Sequence, residues 1–125
     1  MGRLFTYTEA AALMPDVRRT AAGIIEVRAE LADLSFTLGG GGDSPFGGVA
    51  EAKALEARLH EHLAWFTGHG IEVKGAAPII IDFPSELLGA PVLLCWLEGE
   101  HELTWYHRAD LGFLGRRRLP TEAMR

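Results

Sequence analysis

The sequence predicts an α+β fold: a long antiparallel helical hairpin followed by a small antiparallel β-meander packed on it, in a single domain over residues 1–125. Three observations carry that expectation. Apolar residues recur at heptad spacing through the first third of the chain. A second amphipathic stretch follows a glycine-rich break. The remainder is a series of short β-branched and aromatic runs punctuated by Gly and Pro.

The first helix is expected over 8–38. Thr8 is read as its N-cap, with Glu9 in the first turn, where the helix dipole favours a carboxylate. Pro15 lacks an N–H and its ring crowds the preceding turn, so a break or kink is expected near 13–15. Beyond it Val17, Ile24, Leu31 and Leu38 recur every seven residues, and Leu13, Thr20, Val27 and Leu34 fill the positions between. That is the seam of a long amphipathic helix. Residues 39–48 (GGGGDSPFGG) cannot sustain a helix and read as a flexible loop; they lack the Lys-Ser/Thr of a phosphate-binding loop and follow no strand. The second helix is expected over 49–67. Ala52, Leu55, Leu59, His62, Leu63 and Phe66 mark its inner face, and Gly68 and Gly70 its end.

The β-meander is expected over 71–108. Residues 71–74 alternate, 78–83 form a β-branched run closed by Pro84, and Gly89 centres a turn. Gly99-Glu100 suits a two-residue type II′ loop between two apolar strands. That loop pairs Trp96 with Leu103, Cys95 with Thr104, Leu94 with Trp105, Leu93 with Tyr106 and Val92 with His107. Side chains alternate across a strand, so Val92, Leu94, Trp96, Leu103, Trp105 and His107 share the expected core face. Leu93, Cys95, Leu97 and Tyr106 form an apolar strip on the other. Residues 109–125 are read as a C-terminal tail with a frayed end.

Composition excludes several classes. A net charge of −5 disfavours nonspecific nucleic-acid binding despite Arg116–Arg118. No apolar run is long enough for a membrane span, and no signal peptide is recognised. The one cysteine, Cys95, forms no internal disulfide and fits a reducing, cytoplasmic setting.

Several short motifs, Leu4-Phe5-Thr6, Glu9-Ala10, Leu13-Met14-Pro15, Asp82-Phe83-Pro84, Leu94-Cys95-Trp96, Gly99-Glu100, Trp105-Tyr106-His107, Asp110, Gly112-Phe113 and Gly115-Arg116, run through nearly the whole chain. In these the chain resembles domain-of-unknown-function family 2203, small prokaryotic proteins. It departs at the long glycine-rich stretch and at Ile79. The resemblance implies the architecture and no established activity.

The chemistry-bearing residues are Asp82, Glu100, His101, His107, Asp110 and Arg116. In the type II′ register Glu100 sits at the turn and His107 about 20 Å along the strand, which separates them. A polar cluster of Asp82, His107, Asp110 and Arg116 remains near the exit of the sheet, serving either as a structural network or as a ligand site. His60 and His62 are two apart, on different helix faces, so they make no helical metal pair. Cys95, opposite Thr104, has no base beside it. No metal set and no cofactor is expected. The leading functional expectation is a non-enzymatic interaction or accessory protein, homodimeric or part of a larger complex, using Leu93, Cys95, Leu97 and Tyr106 as its interface. The alternative is a small-molecule or metal binder, or an enzyme, built on the His/Asp/Arg cluster.

Overall fold

The computed structural model describes residues 2–39 and 48–125. Residues 40–47, most of the glycine-rich stretch, lie outside them. The predicted α+β architecture is the one observed: helix α1 (Tyr7–Gly39) and helix α2 (Val49–Gly68), then an antiparallel meander of β1 (Glu72–Ala76), β2 (Ile79–Leu87), β3 (Ala90–Leu97), β4 (Trp105–Arg108) and β5 (Arg117–Arg118), in spatial order 1-2-3-4-5.

The cap of helix α1 lies two residues earlier than expected. Thr6, not Thr8, closes it: the Thr6 hydroxyl accepts from the Glu9 N–H at 3.1 Å, and the Glu9 carboxylate accepts from the Thr6 N–H at 2.8 Å. This is a reciprocal capping box. The Thr6 backbone N–H first, then the Thr6 hydroxyl, with Arg3 nearby, hold the Glu9 carboxyl below its usual range. The expected break at 13–15 does not divide the helix, which runs as one element with Pro15 inside it. Proline removes one rung of the hydrogen-bond ladder, and the buried stripe of Ala10, Met14, Val17, Ala21 and Ile24 continues on both sides of it.

The helix face of the sheet supplies Ile79, Ile81, Phe83, Leu94 and Trp96 to the same core, where Phe66 of α2 joins them. Phe5 meets Phe83 edge to face at 5.2 Å between centroids. The segment before α1 is tied to the sheet: Phe5 N–H donates to Pro84 C=O at 2.7 Å and Ser85 Oγ to Phe5 C=O at 2.6 Å. Pro84 therefore does not end its strand. It sits where β2 has outrun β1, so no partner there needs its missing N–H. At the other end Arg28 of α1 grips Glu98 with two bonds of 2.8 and 2.7 Å and donates to Ala76 C=O at 2.8 Å.

β2 and β3 are joined by Leu88-Gly89, with φ of 52° and 79°. Both central residues are left-handed, as in a type I′ turn, which favours Asn-Gly. Leu88 is fully exposed, so nothing there offsets the strain of a leucine at positive φ. Leu88→Asn is expected to raise stability by about 0.5–1 kcal/mol, read as a higher midpoint in urea.

The β3–β4 connection is the main correction. It is not a two-residue loop but the seven residues 98–104. Glu100 N–H closes a turn onto Leu97 C=O at 2.9 Å, with Gly99 at φ 97° in its third position, where a type II turn needs glycine. The register is Val92↔Arg108, Leu93↔His107, Leu94↔Tyr106 and Cys95↔Trp105, one residue away from the type II′ expectation. The slip exchanges faces. Tyr106 joins the helix-facing core, while Trp105 and His107 move to the side of Leu93 and Cys95.

Nor does the chain leave the sheet after β4. It returns as β5 on β4, and Leu119, 5% exposed, donates its N–H to Thr104 C=O at 2.8 Å. Ala123 and Met124 of a short 3-10 turn (Thr121–Met124) pack on the core, so the expected frayed tail is docked.

Candidate functional site

The face of the sheet turned away from the helices holds the candidate site. Ile81, Phe83, Leu94 and Trp96 point to the helices, so alternation sends Asp82 and Cys95 the other way. They are direct cross-strand partners. His107 arrives on the same face through the observed register and reaches diagonally across β3, where its Nε2 lies 3.1 Å from Asp82 Oδ2. Asp82, Cys95 and His107 are 1%, 1% and 3% exposed. One carboxylate oxygen, the thiol sulfur and one ring nitrogen all lie within 4.8 Å of one another.

The hydrogen-bond inventory of this trio is uneven. His107 Nδ1 faces the Arg108 carbonyl at 3.0 Å and Nε2 faces the Asp82 carboxylate, so both ring nitrogens look at acceptors. Lys74 Nζ stands 3.6 Å from Asp82 Oδ2, and its closer partner is Glu72 at 2.9 Å. Asp82 Oδ1 is buried with no hydrogen-bond partner. Burial and then the Asp82 charge push the Cys95 thiol up to about 12. A thiol so placed stays protonated at neutral pH and is no free nucleophile.

The expected cluster of four is only half assembled. Asp82 and His107 meet. Asp110 does not join them: it pairs with Arg108 at 2.8 Å, both side chains 63% exposed. Arg116 binds neither aspartate. It donates to both Glu100 oxygens at 2.7 Å, and Glu100 also accepts from the Leu97 N–H at 2.7 Å. Trp96 Nε1 donates to the Glu100 carbonyl at 3.0 Å, holding the loop in place. The Arg116 guanidinium lies over Trp105 and Phe113, 4.9 and 4.8 Å from the ring centroids.

Arg116 thus fastens a roof. The segment between β4 and β5, with the 3-10 turn Phe113–Gly115, is held by Arg116 against Trp105, on the face that the sequence left bare. Leu93 and Cys95, expected at an interface, are buried in the single chain, Leu97 is half-buried, and Tyr106 sits on the opposite face. The sequence set Glu100 apart from the cluster, whereas it binds Arg116, and it gave no sign of Cys95 as a neighbour of His107 or of Lys74 as a charge near Asp82.

The remaining histidines do not converge. His62 packs on Gly23, whose added Cβ would stand 2.6 Å from the imidazole. His69 lies on Trp65 at 4.3 Å, with Nδ1 2.8 Å from the Trp65 carbonyl. Among the described residues, no helix is long and apolar enough to cross a membrane.

No curated protein and no solved structure matches the chain. A family model described as "Uncharacterized conserved protein (DUF2203)" matches residues 3–119, which takes in both helices, all five strands and the roof, and the chain belongs to that family.

Proposed function

We propose that the chain is a non-enzymatic interaction or accessory protein, homodimeric or a small subunit of a larger complex. One observation carries this reading. The roof that covers the sheet is itself apolar on its outer side, with Leu111, Phe113 and Leu114 exposed by 42%, 36% and 99%. Arg116 and Glu100 hold this segment from beneath, so the leucines stand on a fixed support. Clustered exposed apolar side chains on a fixed support are the usual mark of a partner surface.

The site chemistry favours the same reading. The thiol is protonated, and Arg116 is bound to Glu100. The net charge of −5 disfavours nucleic acid as the partner, and a lone buried thiol suits the cytoplasm.

Size-exclusion chromatography with light scattering tests the proposal at tens of micromolar protein, alongside a pull-down from lysate of the source organism. Wild type is expected as a dimer or with a stoichiometric partner. Leu114→Asp is expected to release the monomer at unchanged circular dichroism. A monomeric wild type that retains no partner overturns the reading.

A further inference from the structure

We propose that Asp82, Cys95 and His107 form a buried binding site for one transition-metal dication of the zinc class.

The donor set comes first. A thiolate, an imidazole and a carboxylate are the ligands that zinc and cobalt select; magnesium and calcium take oxygen alone. The three donor atoms lie within 4.8 Å of one another. Tetrahedral zinc with bonds of about 2.0–2.3 Å wants its ligands about 3.3–3.7 Å apart. His107 Nε2 and Asp82 Oδ2 already stand 3.1 Å apart on one sheet face, with the Cys95 sulfur within 4.8 Å of the donor atoms. The three residues supply three tetrahedral donors and leave the fourth position to a water; Asp82 Oδ1, buried and unpartnered, is an acceptor that the metal-free arrangement leaves unsatisfied.

The orientation of His107 is the second argument. A metal-bound histidine characteristically donates its other N–H to a carbonyl or carboxylate, which fixes the ring. His107 Nδ1 already faces the Arg108 carbonyl at 3.0 Å, leaving Nε2 aimed at Asp82 and the thiol. A neutral imidazole cannot donate from both nitrogens to two acceptors. With a dication at Nε2 the accounting closes: Nδ1–H donates to Arg108, and Nε2 gives its lone pair to the metal.

Charge is the third. One dication against the Asp82 carboxylate and the Cys95 thiolate makes a neutral buried unit. Binding converts the Cys95 thiol to a metal-bound thiolate and releases its proton to solvent. Lys74 keeps Glu72, 2.9 Å away, as its counterion.

Cobalt(II) titration of protein purified without a histidine tag tests the site. Wild type is expected to take up one cobalt per chain. It should show a thiolate-to-cobalt charge-transfer band in the near ultraviolet and tetrahedral visible bands, all bleached by one equivalent of zinc. Cys95→Ser should lose the charge-transfer band, and His107→Gln should bind at least ten-fold more weakly. Asp110→Asn, outside the trio, should titrate like wild type. Circular dichroism establishes that each variant is folded; if one is not, the wild-type spectrum alone decides. Folded wild type without a thiolate–cobalt band, or a band that persists in Cys95→Ser, overturns the proposal. Neither outcome depends on whether the roof binds a partner.

Discussion

Asp82→Ala is expected to destabilise the domain by about 3–5 kcal/mol, the usual cost of removing one member of a buried ionic or hydrogen-bonded pair. Asp82 is 1% exposed and His107 3%, so water cannot replace the missing carboxylate. The imidazole would keep its Arg108 contact through Nδ1 and lose the acceptor at Nε2. Urea denaturation at pH 7 with a chelator present should show a lower midpoint and an unchanged slope. The companion experiment replaces both partners. Asp82→Leu combined with His107→Phe removes the polar groups together and should recover most of the loss, because exchanging a buried pair for apolar residues of similar volume is commonly near neutral. A single-variant cost below about 1 kcal/mol would mean that the pair is solvated in solution and that the roof opens readily.

The second large effect concerns acid. Glu98 is held down to about 2, first by the Arg28 guanidinium and then by the Ile79 N–H at 3.0 Å, against an ordinary value of 4.5. The folded state therefore binds the Glu98 proton more weakly than the unfolded chain does. The resulting stabilisation is fully present above the unfolded value and is lost as pH falls through the folded one. Its size is on the order of 1–2 kcal/mol, because the pair reaches solvent, with side chains 33% and 22% exposed, and is partly screened. Glu98→Gln should cost that amount at neutral pH and nothing near pH 2. The difference between the two proteins should close between about pH 4.5 and 2, measured as urea midpoints along a pH series. A gap that stays constant across that range would show that Glu98 acts through packing and not through its charge.

How much of this was legible in the sequence differs by element. The heptad of α1 and the inner face of α2 declare themselves because helix periodicity is redundant over many residues. Half of the candidate site was equally open to reading: with Ile81, Phe83, Leu94 and Trp96 facing the helices, Asp82 and Cys95 must face away. His107 was not. Its side depends on the parity of the β3–β4 connection, and Gly99 supports two turns: the first central residue of a II′ loop or the third residue of a type II turn. Both place a glycine at positive φ, and they differ by one residue in register. Hydrophobicity did not break the tie, because β3 is buried on both faces and the β4 sequence Trp-Tyr-His is amphipathic on either. The return of residues 117–119 to the sheet was hidden for a related reason. Three arginines read as a solvated end, and two of them do stay exposed while their backbone pairs with β4.

The roof also has a place in time. A ribosome makes the chain from the N-terminus, so α1, α2 and β1 to β3 exist before residues 105–119 do. The N-terminal elements can begin to assemble while the polypeptide is still attached. During that interval Asp82 and Cys95 lie side by side on an uncovered sheet. His107 joins them next, and Arg116 follows nine residues later. The clasp between Arg116 and Glu100 therefore forms only after Asp82, Cys95 and His107 have all been made, which turns the order of synthesis into an order of closure. Until then the inner face is open to solvent, to small ions and to anything else that meets a newly made protein.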